Sequence, residues 1–577
     1  MFSRREWLMV FTAIGLIVVS VWMDLRIPAL FAEITTLAIS PYSETGEVWR
    51  IGGLMLLFIL GSIMVSLCVA YLAAVVSSGH SARLRRRLFT KVNEMSAGDV
   101  KNFKISSLIT RSTNDVTEVR MFTALMIQML VRSPIMMVWA SAEILAVSAE
   151  LTATVMIGVG AVAVLILALV IIVIPRFKRA RKLTDRLNQV SRETLSGIRV
   201  VRAYNAEEFE REKFEKENLS LARNNIVANR AMGVFWPFIS FVMASLTVAI
   251  FWVGSHLLNN GSIPPYEAGV FFGNVQAFSQ YAMQILWSFM MLLMMFVMMP
   301  SALVSARRIN EVLKTSPSIK SGEGAGENFQ NGDIKFTNVT FKYPDAESAV
   351  IKDVNITIKR GSTVAFIGGT GSGKSTLVNL LPRIYDTTDG EITIGGTCVR
   401  DMTIEELNNI IGYIPQKATL FGGSVRYNVT FGRDDISDES IWRALEISQA
   451  RNFVEELDNQ LDYEVSQGGT NLSGGQKQRL SIARVVACDP KIYIFDDTFS
   501  ALDYKTDKNL RATLKKETRD ATVLIVAQRI GTIKDADMIY VIDNGSVVAG
   551  GKHKELLKTS PLYKEIALSQ LSKEELQ

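Results

Sequence analysis

From its first residues to about position 300 the chain repeats one pattern, runs of mostly apolar residues about 20 long, enough to cross a bilayer as a helix, separated by polar stretches. Six such runs are centred near Val18, Ile63, Ile135, Val164, Phe241 and Leu292. The stretch after the second carries Arg83, Arg85, Arg86, Arg87, Lys91, Lys101 and Lys104, and that after the fourth carries Arg176, Lys178, Arg179, Arg181 and Lys182. Basic residues mark cytoplasmic loops. The segments after the first, third and fifth runs (33–49, 148–150 and 259–266) have almost no Lys or Arg and are expected to face outward. The two basic connections are long and keep helical patterning without being apolar, so the spans should continue as stalks beyond the bilayer. Past residue 300 the pattern changes. A charged helix is expected over Ala302 to Lys314, then a linker rich in Gly, Ser and Glu, then strand-like alternation from Asp333 to Tyr343 and a short buried strand, Val364 to Ile367.

Composition sharpens this into two domains of different kind. At 577 residues the chain is too long for one hydrophobic core. Its residues are 48% hydrophobic and 21% charged, with the apolar excess in the first half. The net charge of +5 sits largely in loops beside spans, which argues against a nucleic-acid partner. Cys68, Cys398 and Cys488 lack metal-ligand spacing and read as packing residues in a reducing compartment. Met1 to Arg5 has the charge of a signal peptide, but the apolar run after it is too long and has no cleavage site, so a retained first span is expected.

The chemistry lies in the second half. Gly368-Gly369-Thr370-Gly371-Ser372-Gly373-Lys374-Ser375, followed by Thr376, is a complete G-x-x-x-x-G-K-S phosphate-binding loop in the strand-to-helix context it needs. Its backbone N–H groups would close round phosphate oxygens, Lys374 would reach the β and γ phosphates, and Ser375 would ligate Mg²⁺. Downstream, Lys491 to Asp496 is a buried strand ending in a carboxylate suited to the same Mg²⁺. Between them lies Leu472-Ser473-Gly474-Gly475-Gln476. This resembles the signature of ATP-binding-cassette (ABC) proteins, and the resemblance extends over essentially the whole chain. Leu108 to Val116 resembles the segment that follows the first coupling helix of ABC exporters, and Gly197 to Glu207 their second intracellular loop.

The resemblance implies a six-helix all-α transmembrane domain with long cytoplasmic helical extensions (residues 1–315), a linker (316–332) and an α/β P-loop ABC nucleotide-binding domain (333–577). It also implies a multi-pass protein of the cell inner membrane with a cytoplasmic cassette, binding ATP and Mg²⁺. By resemblance Gln416 is the Q-loop residue that contacts Mg²⁺, Ser500 to Asp503 the D-loop, and Tyr343 the aromatic that stacks on adenine. Two cassettes meet head to tail in this family, so each ATP lies between one chain's phosphate loop and the partner's Ser473-Gly474-Gly475-Gln476 equivalent.

Two catalytic positions depart from the family. The glutamate expected after Asp496, the general base, is Asp497, and the expected switch histidine is Gln528. Val465-Ser466-Gln467-Gly468-Gly469 also departs from the usual Val-Gly-Glu-Arg-Gly. The pattern resembles the degenerate-site half of a bacterial heterodimeric multidrug exporter, whose partner is a second half-transporter with the consensus Glu and His. A hydrophobic small-molecule substrate is then expected, with a lipid flippase or a nucleotide-gated channel as rivals. In the sixth span Met283, Met290, Met291, Met294, Met295, Met298 and Met299, interleaved with aromatics, are candidates to line a cavity. Arg132 and Glu143, in or near the third span, are costly in hydrocarbon and should be functional or paired, though not with each other.

Overall fold

The computed structural model of the chain describes residues 3–39, 45–145, 149–260, 267–324 and 332–570. Parts of the three outward segments (40–44, 148 and 261–266) and residues 325–331 of the linker lie outside the described residues. The chain divides into two compact units, Met1–Lys91 with Ser106–Lys314, and Val92–Ile105 with Thr315–Gln577.

The first unit is built from helices α1 (Arg4–Ile39), α2 (Thr45–Asn93), α4 (Ile105–Leu145), α5 (Ala149–Ser196), α6 (Ile198–Ala203), α7 (Glu207–Asn259) and α8 (Ala268–Lys314); α3 (Ala97–Phe103) belongs to the second. Among the described residues α1, α2, α4, α7 and α8 are long and apolar enough to cross a membrane, and α5 carries a shorter apolar stretch, Glu150–Leu165. All six sequence-predicted centres fall inside these helices. At 1.5 Å per residue the 49 residues of α2 span about 74 Å, more than twice a hydrocarbon core of ~30 Å, so the expected stalks are present. Ile17, Val21 and Leu25 of α1 pack with Met136, Ala140 and Ile144 of α4 and with Phe278, Ala282 and Leu286 of α8. Leu56, Leu57, Leu60, Met64 and Leu67 of α2 stay exposed, which suits lipid as solvent.

The stretch from Arg111 to Glu118, which includes most of the segment resembling the one after the first coupling helix, is held to α8 by polar contacts. Arg111 pairs with Glu311 at 2.9 Å and donates to the Arg308 carbonyl at 2.7 Å, Ser305 donates to the buried Asp115 at 3.3 Å, and Ser301 donates to Glu118 at 2.5 Å. The methionines of α8 do not form a single stripe. Met290 and Met295 are buried, Met294 and Met299 are exposed, and Met291 faces a cavity, because consecutive and near-consecutive positions on a helix point round its whole circumference.

In the second unit, six strands form one sheet in the order β12-β11-β3-β10-β9-β6, with β3 (Thr363–Ile367), β6 (Ile411–Ile414), β9 (Ile492–Asp496), β10 (Thr522–Val526), β11 (Met538–Asp543) and β12 (Ser546–Gly551). A second sheet runs β2-β1-β4-β5, from β1 (Ile334–Phe341), β2 (Ile351–Ile358), β4 (Asp389–Ile394) and β5 (Thr397–Cys398). A small ribbon joins β7 (Gly423–Ser424) to β8 (Glu464–Val465). Strands β3, β9 and β10 are buried on both faces and read as near-continuous apolar runs, as parallel strands covered by helices must. In parallel register Val526 pairs with Phe366 on one side and Asp496 on the other, and Ile414 pairs with Phe495. The carboxyl ends of four strands therefore lie side by side, the edge where ligands bind in open α/β sheets.

Gly412, in β6, marks how tightly this sheet is covered: an added Cβ would come within 2.3 Å of Val485 Cγ1 and 2.6 Å of Pro490 Cγ. Gly412→Val is expected to overpack this contact and destabilise the second unit by about 1–3 kcal/mol. A lowered thermal midpoint for that unit checks it, and an unchanged midpoint would mean the neighbours yield freely.

Candidate functional site

The phosphate loop joins β3 to α9 (Lys374–Leu380), and its shape depends on glycine. Gly373 has φ +101°, and a Cβ there would press on Ile351 and the Val350 carbonyl. Around Gly369 and Gly371, by contrast, a Cβ would meet nothing within 4 Å, so the exposed turn 369–371 borders open space. Lys374 is buried, and its ammonium turns back into the loop, donating to the carbonyls of Gly368 (3.0 Å) and Gly369 (2.7 Å) and to Ser372 Oγ (3.3 Å). Burial lowers its pKa, while the charges of Asp497 and Asp496 work the other way. No ion pair to a carboxylate holds it among the described residues.

Asp496 ends β9, 3% exposed. It accepts from Ser375 Oγ at 2.5 Å and from the Tyr413 hydroxyl at 3.2 Å. Burial raises its carboxyl pKa, with both hydrogen bonds and Lys374 opposing. Asp497 follows in left-handed backbone, φ +47°, a conformation Asp tolerates better than most residues. One of its oxygens, Oδ2, accepts two amide donors, Gln416 Nε2 at 3.1 Å and Gln528 Nε2 at 3.0 Å. Gln416 stands two residues beyond β6 and Gln528 two beyond β10, so the parallel register brings both to the carboxylate. Asp497 is likewise raised by burial, opposed by the bond from Gln416.

Tyr343 is half-buried just past β1. Its hydroxyl lies 3.1 Å from Thr376 Oγ1, Phe341 and Tyr385 meet its ring edge-on at 4.8 and 5.3 Å, and the Lys101 ammonium of α3 sits 5.8 Å from the ring centre. Ser473 caps α10 (Gly474–Val486) by a reciprocal pair: its hydroxyl accepts from the Gln476 N–H, and Gln476 Oε1 accepts from its N–H. Gly474 opens onto free space, and Gly475 would bring a Cβ 3.6 Å from the Ala501 carbonyl. Among the described residues no hydrogen bond or ion pair joins Ser473 to Gln476 with the phosphate loop. Lys374, Ser375, Asp496, Asp497, Gln416 and Gln528 thus form one cluster within the chain, and the signature helix end stands outside it.

Two further residues bind to this cluster without a signal in the sequence. Tyr413 lies inside the quoted Tyr413-Ile414-Pro415-Gln416, but nothing in an apolar strand signals that its hydroxyl reaches Asp496. Gln570 ends helix α11 (Pro561–Gln570), and its amide grips the switch segment twice: Nε2 donates to the Gln528 carbonyl at 2.8 Å and Oε1 accepts from the Ile530 N–H at 2.8 Å. Beside it a cavity of about 300 Å³ is bordered by Asp497, Gln528, Arg529 and Thr532.

Comparison with known proteins agrees with this geometry. Residues 10–289 match the family described as ABC transporter transmembrane region, and residues 351–500 match the ABC transporter family. The chain belongs to the ABC transporters: it is a multi-pass membrane protein and an ATPase coupled to transmembrane transport. An uncharacterized ABC transporter ATP-binding protein of Mycobacterium tuberculosis is 35% identical over 96% of this chain and 94% of its own length. An uncharacterized ABC transporter ATP-binding protein of Bacillus subtilis is 32% identical over 97% and 96%. A putative multidrug export ATP-binding/permease protein of Staphylococcus aureus is 31% identical over 89% and 88%. The structure of a bacterial Atm1-family ABC exporter with ATP bound superposes with a TM-score of 0.79 over 99% of this chain and 100% of the other at 21% identity, so the fold is the exporter fold.

If Gln570 fixes the switch segment, Gln570→Ala should change the ATPase rate several-fold while leaving ATP affinity within about twofold, since no phosphate-loop contact is touched. Turnover and nucleotide titration on the full-length protein check this. Parallel loss of both would mark a folding defect instead.

Proposed function

We propose that this chain is the degenerate-site half of a heterodimeric exporter of hydrophobic or amphipathic compounds, seated in the cell inner membrane with its cassette in the cytoplasm. The residues fit Mg²⁺ and ATP. A buried ammonium supported only by neutral acceptors suits phosphate oxygens, and one carboxylate beside one hydroxyl, 2.5 Å apart, suits Mg²⁺, which is commonly held by few protein groups plus phosphates. In this reading the loop N–H groups and Lys374 hold the phosphates, Ser375, Asp496 and Gln416 hold Mg²⁺, and Tyr343 stacks on adenine beside Thr376. Bound Mg·ATP would supply the phosphoanhydride whose cleavage drives transport.

The observation that carries the proposal is the state of Asp497. A general base has to reach the attacking water. This side chain is one methylene shorter than glutamate, and two amides share one of its oxygens. A misplacement of about 1 Å costs on the order of a hundredfold in rate. Gln528 can donate to a phosphate but has no titrating ring to act as His would. The site is therefore one that binds nucleotide and turns it over slowly. Ser473 to Gln476, capped and open to solvent, keeps the form needed to complete the site of a partner, a second half-transporter with Glu and His at the corresponding positions.

The test is an ordering of variants in this chain assembled with that partner. Lys374→Ala damages the weak site, and steady-state ATPase activity should fall only in part. Gly474→Asp puts negative charge against the partner's γ phosphate, and activity should nearly vanish. Asp497→Glu with Gln528→His should raise turnover at the weak site. Equal losses from Lys374→Ala and Gly474→Asp, with assembly checked by co-purification, would overturn the division of labour.

A further inference from the structure

The third helix span holds a feature that the nucleotide site does not explain. Arg132 on α4 forms an ion pair with Asp24 on α1 at 2.6 Å, inside the membrane unit, where ionisable groups are costly and mark function by default. The two sides of the pair are not equally engaged. Asp24 is the more enclosed, its side chain 17% exposed against 40% for Arg132, and it already accepts from Ser62 Oγ at 2.5 Å through Oδ1 and from Arg132 through Oδ2. Arg132 spends one of its nitrogens on Asp24, and among the described residues the rest of its five N–H donors have only a long 3.5 Å approach to Ser66 Oγ.

Both residues border a cavity of about 480 Å³ whose other walls include Ser66, Gln284, Trp287 and Met291. Among the described residues Gln284 Oε1 is buried there without a hydrogen-bond partner, an acceptor that only a donor group can satisfy and that therefore does not itself hold an anionic oxygen. One residue before Arg132, Met126–Leu130 wind as a π-helical turn, and its Gln128 and Met129 line the same cavity. Such insertions recur at functional sites. The cavity thus joins apolar walls, Met and Trp that adapt to varied shapes, and one guanidinium with donors to spare.

We propose that this cavity is a substrate subsite for an amphiphile with an acidic headgroup, carboxylate or phosphate, whose oxygens take the open edge of Arg132 while its chain lies along Trp287 and the methionines. Arginine's planar fork matches both headgroups. A quaternary ammonium has no N–H to give Gln284, and it finds a carboxylate whose charge is already matched by Arg132 and whose oxygens each accept a hydrogen bond. The inference rests on the exporter reading and narrows its substrate class.

Three amphiphiles with the same twelve-carbon chain test it: dodecanoate, dodecyl phosphate and dodecyltrimethylammonium. Each competes with dansyl-labelled undecanoate for the full-length protein in phosphatidylcholine nanodiscs, without nucleotide, with empty nanodiscs subtracted. The two anions should displace the label at concentrations at least tenfold below the ammonium, and the tighter of the two identifies the headgroup. Arg132→Gln should weaken both anions at least tenfold, Arg132→Lys less so, and Asp24→Asn should tighten them, because the guanidinium loses its competitor. A pair that merely clamps α1 to α4 predicts equal weakening from Arg132→Gln and Asp24→Asn, and that result, or preference for the ammonium, or no binding of the label, overturns the proposal. The uncharged double variant Asp24→Asn with Arg132→Gln, compared with the parent in thermal unfolding, separates a folding defect from a binding defect. Since no nucleotide is present, failure here leaves the ordering of ATPase variants untouched, and failure of that ordering leaves this binding result untouched.

Discussion

The arrangement at the nucleotide site depends on the parallel hydrogen-bonding register of four adjacent strands, β3, β10, β9 and β6. That register makes one edge out of four carboxyl ends that are far apart in sequence. The phosphate loop leaves the first, Asp496 ends the third with Asp497 directly after it, and Gln528 and Gln416 stand two residues past the second and fourth. A slip of one strand by one residue would turn its side chains to the opposite face and break the cluster. The buried helices, the absence of a side chain at Gly412 and the apolar runs of the strands all serve to make such a slip costly.

Much of this was legible in the sequence where the chemistry is local. The phosphate loop declares itself because backbone cradling needs glycines at fixed spacing next to the lysine that neutralises phosphate. Asp497 and Gln528 stood out because each occupies a position whose neighbours are otherwise regular. What stayed hidden is contact between distant segments. Gln570 is one glutamine among polar residues at the end of a short helix, and no periodicity tells that its amide closes on residues 528 and 530. Arg132 drew notice as a charge in an apolar run, but its partner is 108 positions away in α1, and Asp24 passed as an ordinary residue of the first span. The methionines are a mixed case: Met291 lines a cavity, while Met290, Met294, Met295 and Met299 point elsewhere because a helix spreads near-consecutive residues round its axis.

The two parts of the chain settle charge in different ways. In the cassette, Lys374 is buried yet supported by carbonyls and a hydroxyl, an arrangement that leaves its positive charge uncancelled until an anion arrives. In the membrane unit Arg132 has its charge matched by Asp24, while among the described residues much of its donor capacity stays open. The first is suited to gripping a highly charged nucleotide, the second to admitting a weaker anion without leaving a bare ion in hydrocarbon when the cavity is empty.

The length of α2 has a mechanical consequence. A continuous rod of 49 residues, about 74 Å from end to end, turns a tilt of about 5° at one end into a displacement of about 6 Å at the other. It runs as one helix without a proline, and Gly52-Gly53, Gly61-Ser62 and Ser78-Gly79 are the places where it would bend most readily. Such a rod has the character of a lever arm with a fixed gain: an angular change of a few degrees becomes a movement as large as the spacing between successive helical turns, the scale on which one packed side chain gives way to the next.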